Sequence, residues 1–311
     1  WDKTIKLWSL DGKELATLKG HSSYITSVSF SPDGKTIASA SGDKTIKLWS
    51  LDGKELATLK GHSDAVNSVS FRPDGKTLAS ASSDKIIKLW SLDSQELATL
   101  QGHSSVVTSV SFSPDGKTIA SASGDKTIKL WSLDGQELAT FQGHSDAVNS
   151  VSFSPDGKTI ASGSSDKTIK LWSLDGKELA TLKGHSNQVN SVSFSPDGKT
   201  IASASYDETI KLWSLDGQEL ATFKGHSAWV YSVSFSPDGK TLASDSSDTI
   251  KLWSLDGKQL VTFKGYSDSV SFSPDGKTLA SASDNNTIKI WSLDGQELAT
   301  FKGHSLSLIH I

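Results

Sequence analysis

The chain has 311 residues and a formal net charge of −4, with 31 Lys and Arg residues interspersed among 35 Asp and Glu residues. This balance excludes the one-sided basic surface of a nucleic-acid-binding protein, and no apolar run reaches the roughly eighteen residues that predict a membrane-spanning helix. Cysteine is absent, which excludes disulfides and thiolate sites. We therefore expect a soluble protein without nucleic-acid or membrane partners. We also expect no cofactor and no metal, and a cytoplasmic location, although the lack of Cys leaves the redox compartment open.

The chain repeats one unit, in which four short strand-like runs follow each other. In the unit that starts at Gly143 these runs are VNSVSF, TIASGS, TIKLWSL and ELATL, each alternating or rich in β-branched residues. The turn signals SPDG and LDG separate the runs and favour tight reversals of the chain. Each unit therefore predicts a four-stranded antiparallel sheet. The third run ends in Trp at Trp8, Trp49, Trp90, Trp131, Trp172, Trp213, Trp253 and Trp291.

A single sheet of this kind cannot bury both of its faces, but sheets stacked into a closed ring can. The sequence therefore predicts an all-β fold, a β-propeller of four-stranded antiparallel blades. Complete units start near residues 20, 61, 102, 143, 184, 225 and 265, and residues 1–19 supply a half blade. We expect one propeller over residues 1–305, with seven complete blades plus a partial eighth. Residues 306–311 match no part of the unit and are interpreted as a non-native tail.

In six units a Gly-His pair precedes the strand Trp by about 28 residues, as in Gly143-His144 before Trp172, and this spacing resembles the WD-repeat β-propeller family. The resemblance covers essentially the whole chain. The close likeness of the units resembles the long WD-repeat arrays of bacterial, notably cyanobacterial, proteins, which implies that the chain is a fragment. One departure is uniform: the residue after Trp is Ser, as in Trp49-Ser50, where the family usually has Asp.

The resemblance implies that one His, Ser, Asp and Trp in each regular unit form a hydrogen-bonded brace. The same residue types also suggest a Ser-His-Asp catalytic triad. An active site needs one copy, however, whereas a brace is needed in every blade, so we interpret the recurrence as structural. The predicted tetrads are His21, Ser39, Asp43 and Trp49; His62, Ser80, Asp84 and Trp90; His103, Ser121, Asp125 and Trp131; His144, Ser162, Asp166 and Trp172; and His185, Ser203, Asp207 and Trp213.

The last two units depart from this pattern. In the sixth unit Asp248 stands one residue closer to Trp, and in the seventh Tyr266 and Asn285 replace His and Asp. We expect these two blades to be the least stable. A recurrent Lys, as at Lys47 and Lys88, is accompanied by acidic residues in every unit and indicates a solvated face rather than a phosphate site.

The two ends of a blade differ in how much the copies vary. The end carrying SPDG and LDG is nearly invariant, whereas the other end varies after Gly-His-Ser and before the turn Asp. Aromatic side chains with a polar tip, which are enriched in interface hot spots, concentrate at the variable end. Neutral drift is the alternative explanation. The candidates for partner binding are Trp229, Tyr231, Tyr206, Tyr24, Gln188, Asp64 and Asp146, and Trp1 occupies the same position as Tyr206.

These patterns predict a non-catalytic scaffold that binds protein or peptide partners on the face carrying the Gly-His loops, as WD-repeat signalling modules do. One alternative is a hydrolase with a site at the central channel. Asp245, in a position otherwise held by Ala or Gly, is the unmatched acid that such an enzyme would need. The other alternative is a structural spacer in a longer array. The sequence indicates no oligomeric state.

Overall fold

The protein is represented by a computed structural model, which describes residues 4–8, 14–247, 249–264, 269–277, 279–282, 287–291 and 297–302. Every regular element in this part of the chain is a β-strand, as the sequence predicts. Within the same residues, no helix is long and apolar enough to span a bilayer. Some residues named above lie outside the described residues, namely Trp1, Asp248, Tyr266, Asn285 and 306–311.

Six blades are each built from four consecutive antiparallel strands. Blade one contains β3 (Ile25–Phe30), β4 (Thr36–Ser41), β5 (Thr45–Ser50) and β6 (Glu55–Lys60). Blade two contains β7 (Val66–Phe71), β8 (Thr77–Ser82), β9 (Ile86–Ser91) and β10 (Glu96–Gln101). Blade three contains β11 (Val107–Phe112), β12 (Thr118–Ser123), β13 (Thr127–Ser132) and β14 (Glu137–Gln142).

The next three blades repeat this order. Blade four contains β15 (Val148–Phe153), β16 (Thr159–Ser164), β17 (Thr168–Ser173) and β18 (Glu178–Lys183). Blade five contains β19 (Val189–Phe194), β20 (Thr200–Ser205), β21 (Thr209–Ser214) and β22 (Glu219–Lys224). Blade six contains β23 (Val230–Phe235), β24 (Thr241–Ser246), β25 (Thr249–Ser254) and β26 (Gln259–Lys264).

The remaining four-stranded sheet, which we name the closing blade, joins the two ends of the chain. Its inner strands are β27 (Ser269–Phe272) and β28 (Leu279–Ala282), and its outer strands are β1 (Thr4–Trp8) and β2 (Glu14–Lys19). Ile5 is paired with Ala282 and Lys6 with Ser281, the register that Ile46 and Lys47 have in blade one. The inner strand β27 contacts β23 on one side and β3 on the other, so the ring closes.

The prediction of seven complete blades plus a partial eighth is therefore wrong, since six blades are built from complete units. The N-terminal half unit does not begin an eighth blade; it completes the sheet that β27 and β28 begin. The last two strands, β29 (Thr287–Trp291) and β30 (Glu297–Lys302), pair only with each other among the described residues. Pairing with β1 gives the edge of β28 a hydrogen-bonded partner, so the half unit fills the seventh ring position instead of starting an eighth.

The hydrophobic core lies between neighbouring blades. One cluster combines Ile46, Leu48 and Leu59 of blade one with Phe71 and Trp90 of blade two, all of them buried. The same combination recurs at the next seams. Because alternate residues of a strand point to opposite faces, both faces of each inner strand are covered by a neighbour. Each core cluster is therefore built from residues of two neighbouring blades.

Candidate functional site

Three aromatic side chains meet on the variable face at the seam between blades five and six. Tyr206, in the turn after β20, stacks on Trp229, with ring centroids 4.4 Å apart and planes 12° from parallel. Tyr231, the second residue of β23, packs edge-on against Tyr206 at 5.6 Å. Trp229 remains 50% exposed. We name Tyr206, Trp229 and Tyr231 the aromatic patch.

Two local features place the patch at this seam. Trp229 directly precedes β23, at the position that in blades one to five holds Tyr24, Ala65, Val106, Ala147 and Gln188. The side chain before the turn Asp reaches toward the following blade, as Ser165 does when its Oγ donates to Oε1 of Gln188 at 3.1 Å. In blade five Tyr206 occupies that position, so its ring meets Trp229 of blade six. The patch therefore requires both blades in their ring positions.

Tyr231 occupies a repeat position whose side chain, in blades one to five, donates a hydrogen bond to a backbone carbonyl of the next blade. We name this hydrogen bond the clasp; the sequence did not reveal it. At the equivalent position Thr26 donates to the carbonyl of Val66 at 2.6 Å, and Asn67 donates to the carbonyl of Val107 at 2.9 Å. The clasp recurs at the following seams through Thr108, Asn149 and Asn190. The Tyr231 hydroxyl instead lies 3.1 Å from Oγ of Ser247 in its own blade. Blade six therefore has the aromatic Tyr231 where blades one to five have the Thr or Asn of the clasp.

The other candidate residues lie apart from the patch or beside it. Tyr24 covers Gly42 in blade one, where an added Cβ would lie 2.6 Å from its ring. Asp64 and Asp146 are exposed, and each accepts a hydrogen bond from the next backbone amide, at 2.8 Å. The carbonyl of Gln188 accepts from the amide of Tyr206 at 3.1 Å, so Gln188 lies next to the patch. Of the seven candidates, the structure brings these four together: Gln188, Tyr206, Trp229 and Tyr231.

The five predicted tetrads form continuous hydrogen-bond chains. In each, Nδ1 of His lies 2.7–2.8 Å from the Asp carboxylate, and Nε2 lies 2.7–2.8 Å from the Ser hydroxyl. The Trp indole donates to the same hydroxyl at 2.8 Å. Because a carboxylate only accepts, Nδ1–H of the His donates to the Asp. Nε2 of the neutral ring then accepts from the Ser hydroxyl, which itself accepts from the Trp indole.

The tetrads do not provide a hydrolytic site. All five Ser side chains are 0% exposed, so no substrate could reach their hydroxyls. Each hydroxyl is also already engaged by both His and Trp. Asp245, the unmatched acid, is likewise fully buried within β24 and pairs across the sheet with Ser232 and Ile250. Within the described residues, no group of three or more His, Asp or Glu side chains could hold a metal ion.

Blade six keeps the inner part of the brace. Nε2 of His226 lies 2.7 Å from Oγ of Ser244, which accepts from the Trp253 indole at 2.8 Å. Nδ1 of His226 lies 3.1 Å from Oγ1 of Thr249, the residue after Asp248. The Asp positions of the sixth and seventh units lie outside the described residues, so the lower stability expected of these units stays a prediction.

Unfolding should become easier as the pH falls, in two stages. Burial lowers the pKa of His21, His62 and His103 below 6.5, against the opposing effect of their Asp partners. A neutral folded His loses stability relative to the protonated unfolded chain as the pH falls through 6.5. Burial disfavours ionised Asp125, but hydrogen bonds from Thr127, the Ser104 amide and His103 outweigh it and lower its pKa from 3.8 to about 2. The stability that ionised Asp125 gives to the folded protein is therefore lost as the pH falls from 3.8 to about 2.

Urea unfolding midpoints measured at intervals from pH 8 to pH 3 test this expectation. The midpoint should be level above pH 7, fall from about pH 6.5 downward, and fall again below about pH 4. A midpoint that rises between pH 7 and pH 5 would show that the histidines are protonated in the folded protein, contrary to the brace described above.

The recurrent Lys side chains are largely buried, and each pairs with a Glu that stays partly exposed, so only the acidic half of the pair lies on the solvated face that the sequence indicated. Nζ of Lys47 lies 2.8 Å from the Glu55 carboxylate and 2.7 Å from Oγ1 of Thr58, and the residue is buried. Equivalent Lys–Glu pairs recur at 2.7–2.8 Å in blades two to five. Sequence reasoning missed these Lys–Glu ion pairs because the Lys lies in a different run of the unit from the Glu and Thr. Only the pairing of β5 with β6 brings the three side chains together.

Comparisons with known proteins agree with this architecture. A family model described as the TolB beta propeller domain matches residues 2–205, more than half of the chain. The chain belongs to this β-propeller family. A second model, described as the IFT122 first beta-propeller, matches residues 166–311 of the propeller. With its recurring Gly-His and Trp positions, the propeller is built of WD-like repeats.

Two curated relatives match the propeller over a stretch of 42 residues. The identity is 48% to Nuclear distribution protein PAC1-2 of Uncinocarpus reesii (strain UAMH 1704) and 45% to Nuclear distribution protein nudF 2 of Penicillium rubens (strain ATCC 28089 / DSM 1075 / NRRL 1951 / Wisconsin 54-1255). Each match covers 14% of the propeller and 9% of the relative. The chain thus matches a small part of the length of these proteins, and what the whole relatives do is not carried over by this likeness.

Proposed function

We propose that the propeller is a non-catalytic scaffold that binds a protein or peptide segment on the face carrying the Gly-His loops. Its family is consistent with such a role. We place the binding site at the aromatic patch, and we interpret residues 1–305 as one functional domain of a longer, bacterial-type cytoplasmic protein. The buried tetrads argue against the hydrolase alternative, because their hydroxyls are closed to solvent.

The observation that carries the proposal is the half-exposed Trp229 held flat against Tyr206. Scattered exposed apolar residues are normal on a protein surface. Here, however, aromatic residues from two blades converge. The positions of Tyr206 and Tyr231 hold only Gly, Ser, Thr or Asn in blades one to four. The Trp229 position, by contrast, is also aromatic in blade one, where it holds Tyr24. Stacking fixes both rings before a partner arrives, which reduces the entropy lost on binding. Neutral drift would produce single aromatic substitutions more readily than a contact that needs two.

Replacing both Tyr206 and Trp229 with Ala should abolish peptide capture with little loss of stability. We would select binders from a displayed library of random twelve-residue peptides and measure the affinity of the best binder for each variant. Each hot-spot aromatic contributes about 2 kcal/mol or more, so each single substitution should weaken binding about thirtyfold. The melting temperature should change by only about 2–3 °C, because both residues lie on the surface.

Leu97→Ala is the matched control for this experiment. Leu97 is 54% exposed on the outer strand β10, away from the patch. This variant removes a comparably exposed apolar side chain and should keep full affinity. If the double variant binds as tightly as the wild type, the patch is not the binding site. If it binds weakly but also melts well below the Leu97 variant, the two aromatic residues pack the seam and do not serve recognition.

A further inference from the structure

One turn position on the variable face is positively charged in the first four blades but negatively charged in blade five, which carries part of the aromatic patch. In blades one to four this position holds an exposed Lys, and in blade five it holds the exposed Glu208. The four lysines are Lys44, Lys85, Lys126 and Lys167. All five residues adopt a positive φ between 68° and 72°, so the backbone of the turn is the same and only the side chain differs. Glu208 lies two residues from Tyr206 in the same turn.

The repeat geometry shows where a side chain at this position reaches. Nζ of Lys44 donates to the carbonyl of Ser63 at 2.8 Å, and Nζ of Lys126 donates to the carbonyl of Ser145 at 2.8 Å. Each acceptor is the residue after the tetrad His of the next blade. For Glu208 the equivalent residue is Ser227, which precedes Trp229 by two residues. The Glu208 carboxylate only accepts and so cannot make this bond to a carbonyl, but its turn faces the segment of blade six that carries Trp229.

An exposed carboxylate next to an exposed indole face matches a cationic group with a flat apolar surface. Tyr206 covers one face of Trp229, and half of the Trp229 surface stays open to a ligand. A cation over an indole gains electrostatic attraction from the ring. A guanidinium suits this pairing better than an ammonium ion, because it stacks on aromatic faces and meets a carboxylate with two parallel hydrogen bonds.

We infer that the aromatic patch and Glu208 together bind an arginine side chain of the partner segment, with the guanidinium stacked on Trp229 and paired with Glu208. This inference rests on the proposed function and names the chemistry of the partner. It also explains why Lys, present at the equivalent position of four other blades, is absent from this one: a Lys here would repel the guanidinium.

The test compares four pools of fluorescent nine-residue peptides, degenerate except at the centre, which is fixed as arginine, citrulline, lysine or glutamate. Citrulline has the shape of arginine without its charge. The wild-type chain should retain the arginine pool about tenfold more strongly than the citrulline pool, more strongly than the lysine pool, and the glutamate pool least. Glu208→Lys should remove the preference for arginine over citrulline. This variant should fold, because Lys occupies the same backbone conformation in four blades.

Lys85→Glu in blade two is the matched control, since it makes the same charge change in reverse away from the patch and should leave the arginine preference unchanged. Equal retention of the arginine and citrulline pools by the wild type would overturn the inference. So would an arginine preference that survives in Glu208→Lys. Trp229→Ala separates the two proposals. Suppose that the wild type retains all pools equally and that Trp229→Ala retains none of them. The aromatic patch is then the binding site, but the assignment of arginine as its ligand is wrong. If the wild type retains none of the pools, both fall.

Discussion

Replacing Ser121 with Ala should lower the free energy of unfolding by about 2–4 kcal/mol, although only one oxygen atom is removed. In blade three the Ser121 hydroxyl lies 2.7 Å from Nε2 of His103 and accepts from the Trp131 indole at 2.8 Å. Without it, two buried polar groups lose a partner, and each unsatisfied group costs about 1–3 kcal/mol. Urea unfolding followed by circular dichroism measures the change through the midpoint and slope.

Ser111→Ala in the same blade is the control. Ser111 lies on β11, is half-buried, and donates only a long 3.4 Å hydrogen bond to the carbonyl of Phe112. Its removal should cost less than about 0.5 kcal/mol, as for an ordinary position away from a network. Equal losses for the two serines would mean that the tetrad does not stabilise the blade, and the structural interpretation of the recurring His, Ser, Asp and Trp would fail.

Leu18→Ala should destabilise the ring by about 2–5 kcal/mol, more than the equivalent change Phe301→Ala. Leu18 of β2 is fully buried and belongs to the cluster with Ile25, Phe30 and Trp49 at the seam with blade one. Phe301 occupies the same repeat position in β30, which pairs only with β29 in the described part of the chain. The two variants therefore distinguish which strand pair fills the closing blade.

Thermal and urea unfolding of both variants give the result directly. The reverse outcome, a large loss for Phe301→Ala and a small one for Leu18→Ala, would show that β29 and β30 complete the closing blade in solution. Intermediate losses in both variants would show that the two strand pairs exchange. Either outcome would contradict closure through β1 and β2.

Much of the fold could be predicted because each local signal agreed with the others. The runs VNSVSF and TIASGS coincide with β15 and β16, and TIKLWSL extends only one residue beyond β17. The number of complete blades could not be predicted in the same way. Residues 4–19 and 287–302 differ at three of sixteen positions, Leu7/Ile290, Lys13/Gln296 and Leu18/Phe301. Strand propensity and patterning are nearly the same in both, so the sequence alone does not decide which pair joins β28.

The candidate site was also predictable only in part: the sequence identified its residues, but not the contacts that they make between blades. Comparing the units of one chain was enough to single out Trp229, Tyr231 and Tyr206. The stacking of Tyr206 on Trp229 was not predictable, because it depends on how blade five sits against blade six. The Thr and Asn clasp left a readable signal, since Thr26, Asn67 and Thr108 all hydrogen-bond and occupy one repeat position. We missed it because those side chains lie on an inner strand, where alternation predicts only which face is apolar.

The near-identity of the two outer strand pairs has a genetic consequence. If the DNA that encodes these units is as similar as the protein, unequal recombination would add or remove whole units of about 41 codons, the spacing from Trp49 to Trp90. A ring that accepts its last two strands from the opposite end of the chain needs no fixed starting point, as in a circularly permuted protein. Any stretch that supplies four strands for every ring position can close. Gene rearrangement can therefore renew the variable face without first destroying the scaffold that carries it.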